Sequence, residues 1–276
     1  MKKIIYDVNR RKKAFYIIIN NQKQGFYLTN KIYQTFFDYL QKGVLVDFEV
    51  TENSKIIGNE KLFQVNYFKQ IISLNPYYVH YDLYLLREEM KNVILNYKNF
   101  LFIDFEMTMP GYYNKNFRPE IIQMGYMLTT NGKVKKNSYY ILPEETKKLS
   151  NRTKRFLKLD EDLFYKEAKH FTVFYKELQD LIKKYNPKIV IWGKNDKTAL
   201  DHAYNIHNLK PLTDDDSFMD LLKLHKDYFN LKDDLGLFSA HKNYYDENII
   251  QTHDAKDDAF ITKRVFEGFL KHIRNA

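Results

Sequence analysis

Residues 100–106 read Phe100-Leu101-Phe102-Ile103-Asp104-Phe105-Glu106, an apolar run closed by two acids set two apart. Side chains alternate across a strand, so Asp104 and Glu106 share one face while Ile103 and Phe105 share the other. Two carboxylates on one face of an otherwise apolar strand are costly unless something neutralises them. A hard divalent cation such as Mg²⁺ or Mn²⁺ would do so, since these ions prefer carboxylate oxygen. A strand end emerging into solvent explains the same acids more plainly, so the pair must be weighed with the rest of the chain.

Downstream, strands and helices alternate. Residues 121–130 and 133–142 flank Asn131-Gly132, the dipeptide favoured in a two-residue type I′ hairpin. Helical stretches follow between 144 and 185. A short apolar strand over 189–192 passes through Gly193 into a helix starting near Asp196. Residues 218–221 are a candidate fifth strand, and the last helix spans 254–273. A hairpin followed by strand–helix alternation predicts an α/β domain: a five-stranded mixed sheet with helices on both faces.

Upstream, residues 1–75 read as a small β-rich unit. Strands are expected over 15–20 and 25–28 around a polar turn at 21–24. Asn30 would cap a helix reaching Gln41. In a strand over 44–50, Val44, Val46, Phe48 and Val50 share a face, and residues 62–68 form another strand. Lysines and aromatics on such a unit fit an OB-like or related oligonucleotide-binding module, although a small aromatic core accounts for the same residues. Residues 76–99 contain Pro76 and a helix over 81–99. The expected organisation is therefore a basic accessory domain, 1–75, a helical connector, 76–99, and a catalytic domain, 100–276.

The 276 residues are 44% hydrophobic, enough for a substantial core, and include no cysteine. Disulfides, a thiol nucleophile and thiolate-held zinc or iron–sulfur centres are excluded. The amino terminus, MKKIIYDVNRRKK, has an apolar stretch of only residues 4–6, too short for a signal-peptide core, and no segment approaches a membrane span. The expectation is a soluble cytoplasmic protein with no membrane partner. Formal charge is +9, which suits a polyanionic partner, although a lysine-rich coding bias would also produce it. Residues 1–75 hold twelve Lys/Arg and six Asp/Glu, a net of +6, which leaves +3 for the remaining residues.

Two further clusters bear on chemistry. Residues 189–196, Ile-Val-Ile-Trp-Gly-Lys-Asn-Asp, end a buried strand and start a helix, where α/β proteins often set their sites. Asp196 is the candidate there; it also reads as an ordinary helix N-cap, and Asp201, on another face of the same helix, is its rival. In His253-Asp254-Ala255-Lys256-Asp257-Asp258, Asp258 aligns at helical spacing with Ala255, Thr262, Val265 and Phe269, the core-facing stripe. Asp254 and Asp257 fit acids favoured at a helix start. An acid on the buried face needs a partner, and His253 precedes the helix where a loop can bring its imidazole over the same site.

The order of these settings resembles the three-motif pattern of DEDDh (DnaQ-like) 3′→5′ exonucleases. Asp104-Phe105-Glu106-Met107-Thr108-Met109-Pro110, then Phe117-Arg118-Pro119-Glu120-Ile121-Ile122-Gln123, then Trp192-Gly193-x-x-Asp196, look like the KapD-like group, related to exonucleases that trim small RNAs and histone mRNA ends. The resemblance covers about residues 98–272. Many DEDDh enzymes place an Asp four residues after a His-Asn pair in the second motif. Here Asn195 plus four is Ala199, so Asp196 is the preferred ligand and Asp201 the fallback. Another subclass has Tyr-x₃-Asp in the third motif; residue 254 is Asp, which assigns the chain to the histidine subclass.

The resemblance implies an RNase H-like fold and an active site of Asp104, Glu106, Asp196, His253 and Asp258. The four carboxylates would hold two Mg²⁺ or Mn²⁺ ions about 3.5–4 Å apart. His253 would be general base on the attacking water. The substrate would be a single-stranded nucleic acid, RNA favoured over DNA, cut from its 3′ end to nucleoside 5′-monophosphates. Met107, Thr108, Tyr112, Tyr113, Arg118 and Trp192 are candidate substrate contacts through stacking and charge. A DNA-directed, proofreading-like exonuclease and a catalytically idle binding protein on the same fold are the competing readings.

Overall fold

The computed structural model describes residues 1–73, 79–110, 117–247, 249 and 251–275. The chain divides into two compact units, Met1–Asn92 and Val93–Ala276.

In the first unit the strands are β1 (Lys2–Ile4), β2 (Asp7–Asn9), β3 (Ala14–Ile19) and β4 (Gln22–Tyr27), then helix α1 (Asn30–Phe36), then β5 (Leu45–Ile57), β6 (Glu60–Ile72) and β7 (Val79–Asp82). Hydrogen bonding runs β1-β5-β6-β4-β3-β2, with β7 added on β6. The first and last members of that order are one kinked strand: Ile5 N donates to Val44 O at 2.9 Å, while the next residue, Tyr6, donates to Tyr16 O at 2.8 Å. The sheet therefore closes into a five-stranded barrel. The pairing of β4 with β6 is parallel, and α1 lies between the third and fourth barrel strands. This connectivity is that of an OB-type barrel.

The barrel forms because alternate residues are bulky and apolar. Phe15, Phe26, Phe48 and Phe68 meet inside, with Phe26 and Phe48 edge to face at 5.0 Å and Phe15 and Phe48 at 5.1 Å. Phe36, at the end of α1, closes on Phe68 at 5.4 Å. The β3–β4 turn is only Asn20-Asn21, both at positive φ, which asparagine tolerates. It is thus tighter than the expected turn over 21–24. Thr29, one residue earlier than expected, caps α1 by accepting from Ile32 N. A last helix, α2 (Leu83–Leu95), is capped by Asp82, whose carboxylate accepts from Tyr84 N and Leu85 N, and it carries the chain across the boundary between the units.

The second unit contains β8 (Phe100–Met107), β9 (Ile121–Thr130), β10 (Lys133–Tyr140), α3 (Asn151–Phe156), α4 (Glu161–Glu167), α5 (Phe171–Tyr185), β11 (Lys188–Ile191), α6 (Asn195–Ile206), β12 (Phe218–Asp220), α7 (Leu221–Phe229), α8 (Leu237–Tyr244) and α9 (Ala255–Asn275). Its sheet order is β10-β9-β8-β11-β12, antiparallel through the hairpin and parallel from β8 to β12. Asn131 and Gly132 make the hairpin turn, both at positive φ. This is the expected five-stranded mixed sheet.

The β8 alternation separates two layers. Leu101, Ile103 and Phe105 join Phe171, Phe174, Leu178, Ala199 and Leu200 of α5 and α6 in one core. Phe100 and Phe102 face the other way onto Phe266 of α9, at 4.7 and 5.3 Å between ring centroids. Asp104 and Glu106 continue on that second face. Helices α7 and α8, absent from the sequence reading, lie between β12 and α9. No helix among the described residues is long and apolar enough to cross a membrane.

Candidate active site

At the carboxyl end of β8 a cavity of about 810 Å³ is lined by Asp104, Glu106, Asp196, His253 and Asp258. Each comes from a different local cause. Asp104 and Glu106 follow from strand alternation. Asp196 enters because Gly193, at φ +87, turns the chain out of β11 into the first turn of α6; its Oδ1 accepts from Phe105 N at 3.0 Å. Asp258 lies on the buried face of α9, as its helical spacing predicts.

Gly125, directly opposite Asp104 across the β8–β9 ladder, admits α9. A Cβ on it would stand 2.3 Å from the carbonyl carbon of Ala255 and 2.3 Å from the nitrogen of Lys256. Gln123, opposite Glu106, clamps the helix start: its Nε2 donates to Asp254 Oδ2 at 2.7 Å and its Oε1 accepts from Ala255 N. The other Asp254 oxygen accepts from Lys256 N and Asp257 N, so Asp254 caps α9.

Ligand atoms of Glu106, His253 and Asp258 lie within 4.8 Å of one another. His253 holds a left-handed φ of 53°, and its ring lies against Phe156 of α3 with centroids 4.0 Å apart. Helix α3 is tied in turn to the strand end: Met109 N donates to Thr153 Oγ1 and Ser150 Oγ to Met109 O.

Burial, with the charges of Asp258, Asp196 and Asp254, pushes the Glu106 carboxyl up to about 8. Burial chiefly pushes Asp196 up to about 7, against the bond from Phe105 N. Asp104 is raised well above the usual carboxylate range, by burial first and then by the charges of Asp196, Asp258 and Glu106. Asp258 is also raised, mainly by burial. Its Oδ2 accepts from Gln251, while its buried Oδ1 has no hydrogen-bond partner. Four acids that repel one another around an orphaned carboxylate oxygen fit a divalent cation, the group that satisfies all of them at once.

Met107, Thr108, Phe117, Arg118 and Trp192 also line the cavity. Thr108 is buried, its hydroxyl accepting from Glu120 N, and the Trp192 indole donates to Leu235 O. Tyr112 and Tyr113 lie outside the described residues. Asp201 does not line the cavity; it pairs with Lys197 at 2.7 Å.

A protein family described as exonuclease matches residues 101–266, more than half of the chain. The chain belongs to that exonuclease family. The exonuclease is 32% identical over 170 residues to the probable 3′-5′ exonuclease KapD of Bacillus subtilis (strain 168), across 60% of this chain and 82% of that protein. Its fold matches the nuclease domain of 3′hExo, a DEDDh family member bound to rAMP, with a TM-score of 0.54 at 18% identity over 66% of this chain and 94% of that one. Cell-death related nuclease 4 (CRN-4) matches at 0.53 and 18% identity, over 64% of each chain. The exonuclease is thus a 3′→5′ enzyme with an RNase H-like fold, the fold it shares with DEDDh nucleases, which generally use divalent metal ions.

Sequence reasoning passed over the supports of this exonuclease's site. Gln123 and Gly125 act through register, which only pairing with β8 reveals. Glu120 is buried and accepts from Glu144 N, Glu145 N and Thr146 N, so it anchors the segment after β10. Asp220, at the end of β12, accepts from Gly193 N and caps α7 through Lys223 N. An acid just before a helix was the only signal for Asp220, and Glu120, just before β9, carried none beyond its place in the 117–123 motif.

Proposed function

We propose that this exonuclease removes nucleoside 5′-monophosphates from the 3′ end of single-stranded RNA, using Asp104, Glu106, Asp196 and Asp258 to hold two Mg²⁺ or Mn²⁺ ions and His253 as general base. The convergence of these five side chains on one cavity carries the reading, with the Asp258 oxygen left unpartnered beside Glu106 and His253. Bound there, divalent ions would offset the acids' repulsion, acidify an attacking water and neutralise charge on the leaving 3′ oxygen.

The chain's own groups do the rest. His253 takes the proton of the attacking water at a ring nitrogen, for which an imidazole is suited. Contact with Phe156 holds the ring over the acids. Arg118 offers charge to a phosphate, while Trp192, Met107 and Phe117 offer apolar surface to the terminal base. Thr108 offers its hydroxyl hydrogen to substrate while its oxygen accepts from Glu120 N. Residues 1–75 act as a nucleic-acid-binding accessory to the catalytic segment 100–276, in keeping with their net charge of +6.

Matched RNA and DNA single strands, labelled separately at the 5′ and 3′ ends, test this with Mg²⁺, Mn²⁺ or chelator present. The expected result is a descending ladder from the 5′-labelled RNA, immediate release of mononucleotide from the 3′-labelled strand, and silence in chelator. Faster digestion of DNA would move the substrate to DNA. Binding without cleavage under every metal would leave a binding protein on a nuclease fold.

A further inference from the structure

Outside the nuclease site, a cluster of cations lies at a cleft on the barrel of residues 1–92. The loop joining β2 to β3 reads Arg10-Arg11-Lys12-Lys13, four bases in a row. It borders a cleft of about 640 Å³, lined also by Tyr27, Leu28, Thr29, Asn30, Lys55 and Ile57. The cleft therefore opens between that loop, the end of β4 and the tip of the β5–β6 hairpin.

Two of the four bases are neutralised: Arg10 by Asp38 at 2.6 Å and Lys12 by Glu60 at 2.7 Å. Three cations around the cleft have no acidic partner among the described residues. Arg11 is exposed, Lys13 donates only to the neutral amide oxygen of Asn30 at 2.7 Å, and Lys55 rests its ammonium 3.9 Å from the Tyr27 ring centroid. Three uncompensated charges at one cleft lower stability by mutual repulsion, and a polyanion relieves that cost.

Alternation supplies the second element. Phe15, Ile17 and Phe26 fill the barrel, so Tyr16 and Tyr27 point outward, where they pack with Ala14, Leu62 and Ile57. Tyr27 lines the cleft as an aromatic floor, with the Lys55 ammonium over its ring. A base has the flat apolar face that suits such a floor. Thr29 and Asn30 add a neutral hydroxyl and amide, the kind of group a ribose 2′-hydroxyl can bond.

We propose that this cleft binds single-stranded RNA, with Arg11, Lys13 and Lys55 on successive phosphates and Tyr27 stacked on a base. Lys55 leaves the ring for a phosphate as the base arrives. The choice of strand rests on the RNA-directed function proposed above; the site itself rests on the cleft, its charges and its aromatic floor.

The test is fluorescence anisotropy of a 12-nucleotide oligouridylate, labelled at its 5′ end, titrated with the full-length chain in chelator so that nothing is cut. With Arg11, Lys13 and Lys55 all changed to alanine, affinity at low salt should fall about tenfold or more, and the slope of log affinity against log salt should flatten by about 2, at ~0.7 per phosphate contact. Arg11→Lys, Lys13→Arg and Lys55→Arg together should restore the slope. Tyr27→Ala should weaken binding without altering the slope. A triple alanine variant with wild-type melting, affinity and slope would overturn the proposal. Equal or tighter binding of the matched deoxyribonucleotide would overturn the assignment to RNA. Hydrolysis of thymidine 5′-monophosphate p-nitrophenyl ester by the wild-type chain, a substrate too short to span the cleft, reports on the nuclease reading separately.

Discussion

Single residues decide the chemistry, and His253 is the sharpest case. Its ring lies against Phe156 and its backbone sits at φ 53°, a conformation asparagine also tolerates. His253→Asn therefore removes the proposed base with little backbone strain, and turnover with Mn²⁺ should drop about 10²–10⁴-fold. The rise in melting temperature on adding Mn²⁺ should persist, because the four carboxylates remain; a variant that keeps near-normal turnover would remove His253 from the role of base. The raised acids make a second prediction. Burial first, then neighbouring acids, push folded Glu106 up to about 8 and Asp196 up to about 7, so the metal-free fold holds protons that the unfolded chain has released. Their favourable contribution is complete below roughly pH 4 and is lost as pH rises through 7 and 8. Scanning calorimetry in chelator should show the melting temperature falling from pH 5 to 9, and saturating Mn²⁺ should reverse the fall. Glu106→Gln should flatten the metal-free profile and shrink the Mn²⁺ shift; a steeper profile would contradict the electrostatic account. Asp104, Glu106 and Asp258 were legible in the sequence because strand and helix periodicities state which way a side chain faces. Asp196 and Asp201 could not be separated in the same way, since one helix presents both and only packing selects which face is buried.

At the scale of elements, the site depends on how closely α9 approaches β9. Gly125 permits that approach, and Gln123 holds the helix start through Asp254 and Ala255. Gly125→Ala sets a methyl group 2.3 Å from helix backbone that cannot rotate away. It should cost about 1–3 kcal/mol in denaturant unfolding, the usual range for overpacking a core. Activity should fall with it, because moving α9 carries Asp258 and His253 away from Asp104 and Glu106. Wild-type stability together with wild-type turnover would mean the contact is slack. Neither role could be read from sequence: Gln123 appeared only as the end of the 117–123 motif and Gly125 not at all, until the ladder placed them opposite Glu106 and Asp104. The same limit hid α7 and α8, whose short apolar patterns gain meaning only against the edge of the sheet and against α9.

At the scale of the whole molecule, the charge and the catalytic acids occupy different parts of the chain. Residues 1–75 carry a net of +6, whereas the five candidate catalytic residues lie between 104 and 258. A chain beginning at Val93 should hydrolyse a nucleotide ester as fast as the full chain, since it retains every group lining the catalytic cavity. On a long oligonucleotide its KM should rise about tenfold at low salt, and less as salt increases, because screening already weakens the lost phosphate contacts. Equal KM values for the two chains across a salt series would show that the basic unit takes no part in binding.

The sequence by itself determined the mixed five-stranded sheet, the hairpin at Asn131-Gly132 and three of the four acids, because these follow from periods of 2 and 3.6 residues and from local turn chemistry. It also showed a β-rich, basic amino-terminal unit. Only the tertiary structure decided that this unit closes into a barrel, because closure needs the same short segment to bond Val44, far along the chain, through Ile5, and Tyr16, nearby, through Tyr6. The depth of Asp196, the clamp at Gln123 and the stacking of His253 on Phe156 were likewise tertiary decisions. Each is a contact between residues with no shared period, so nothing local encodes it.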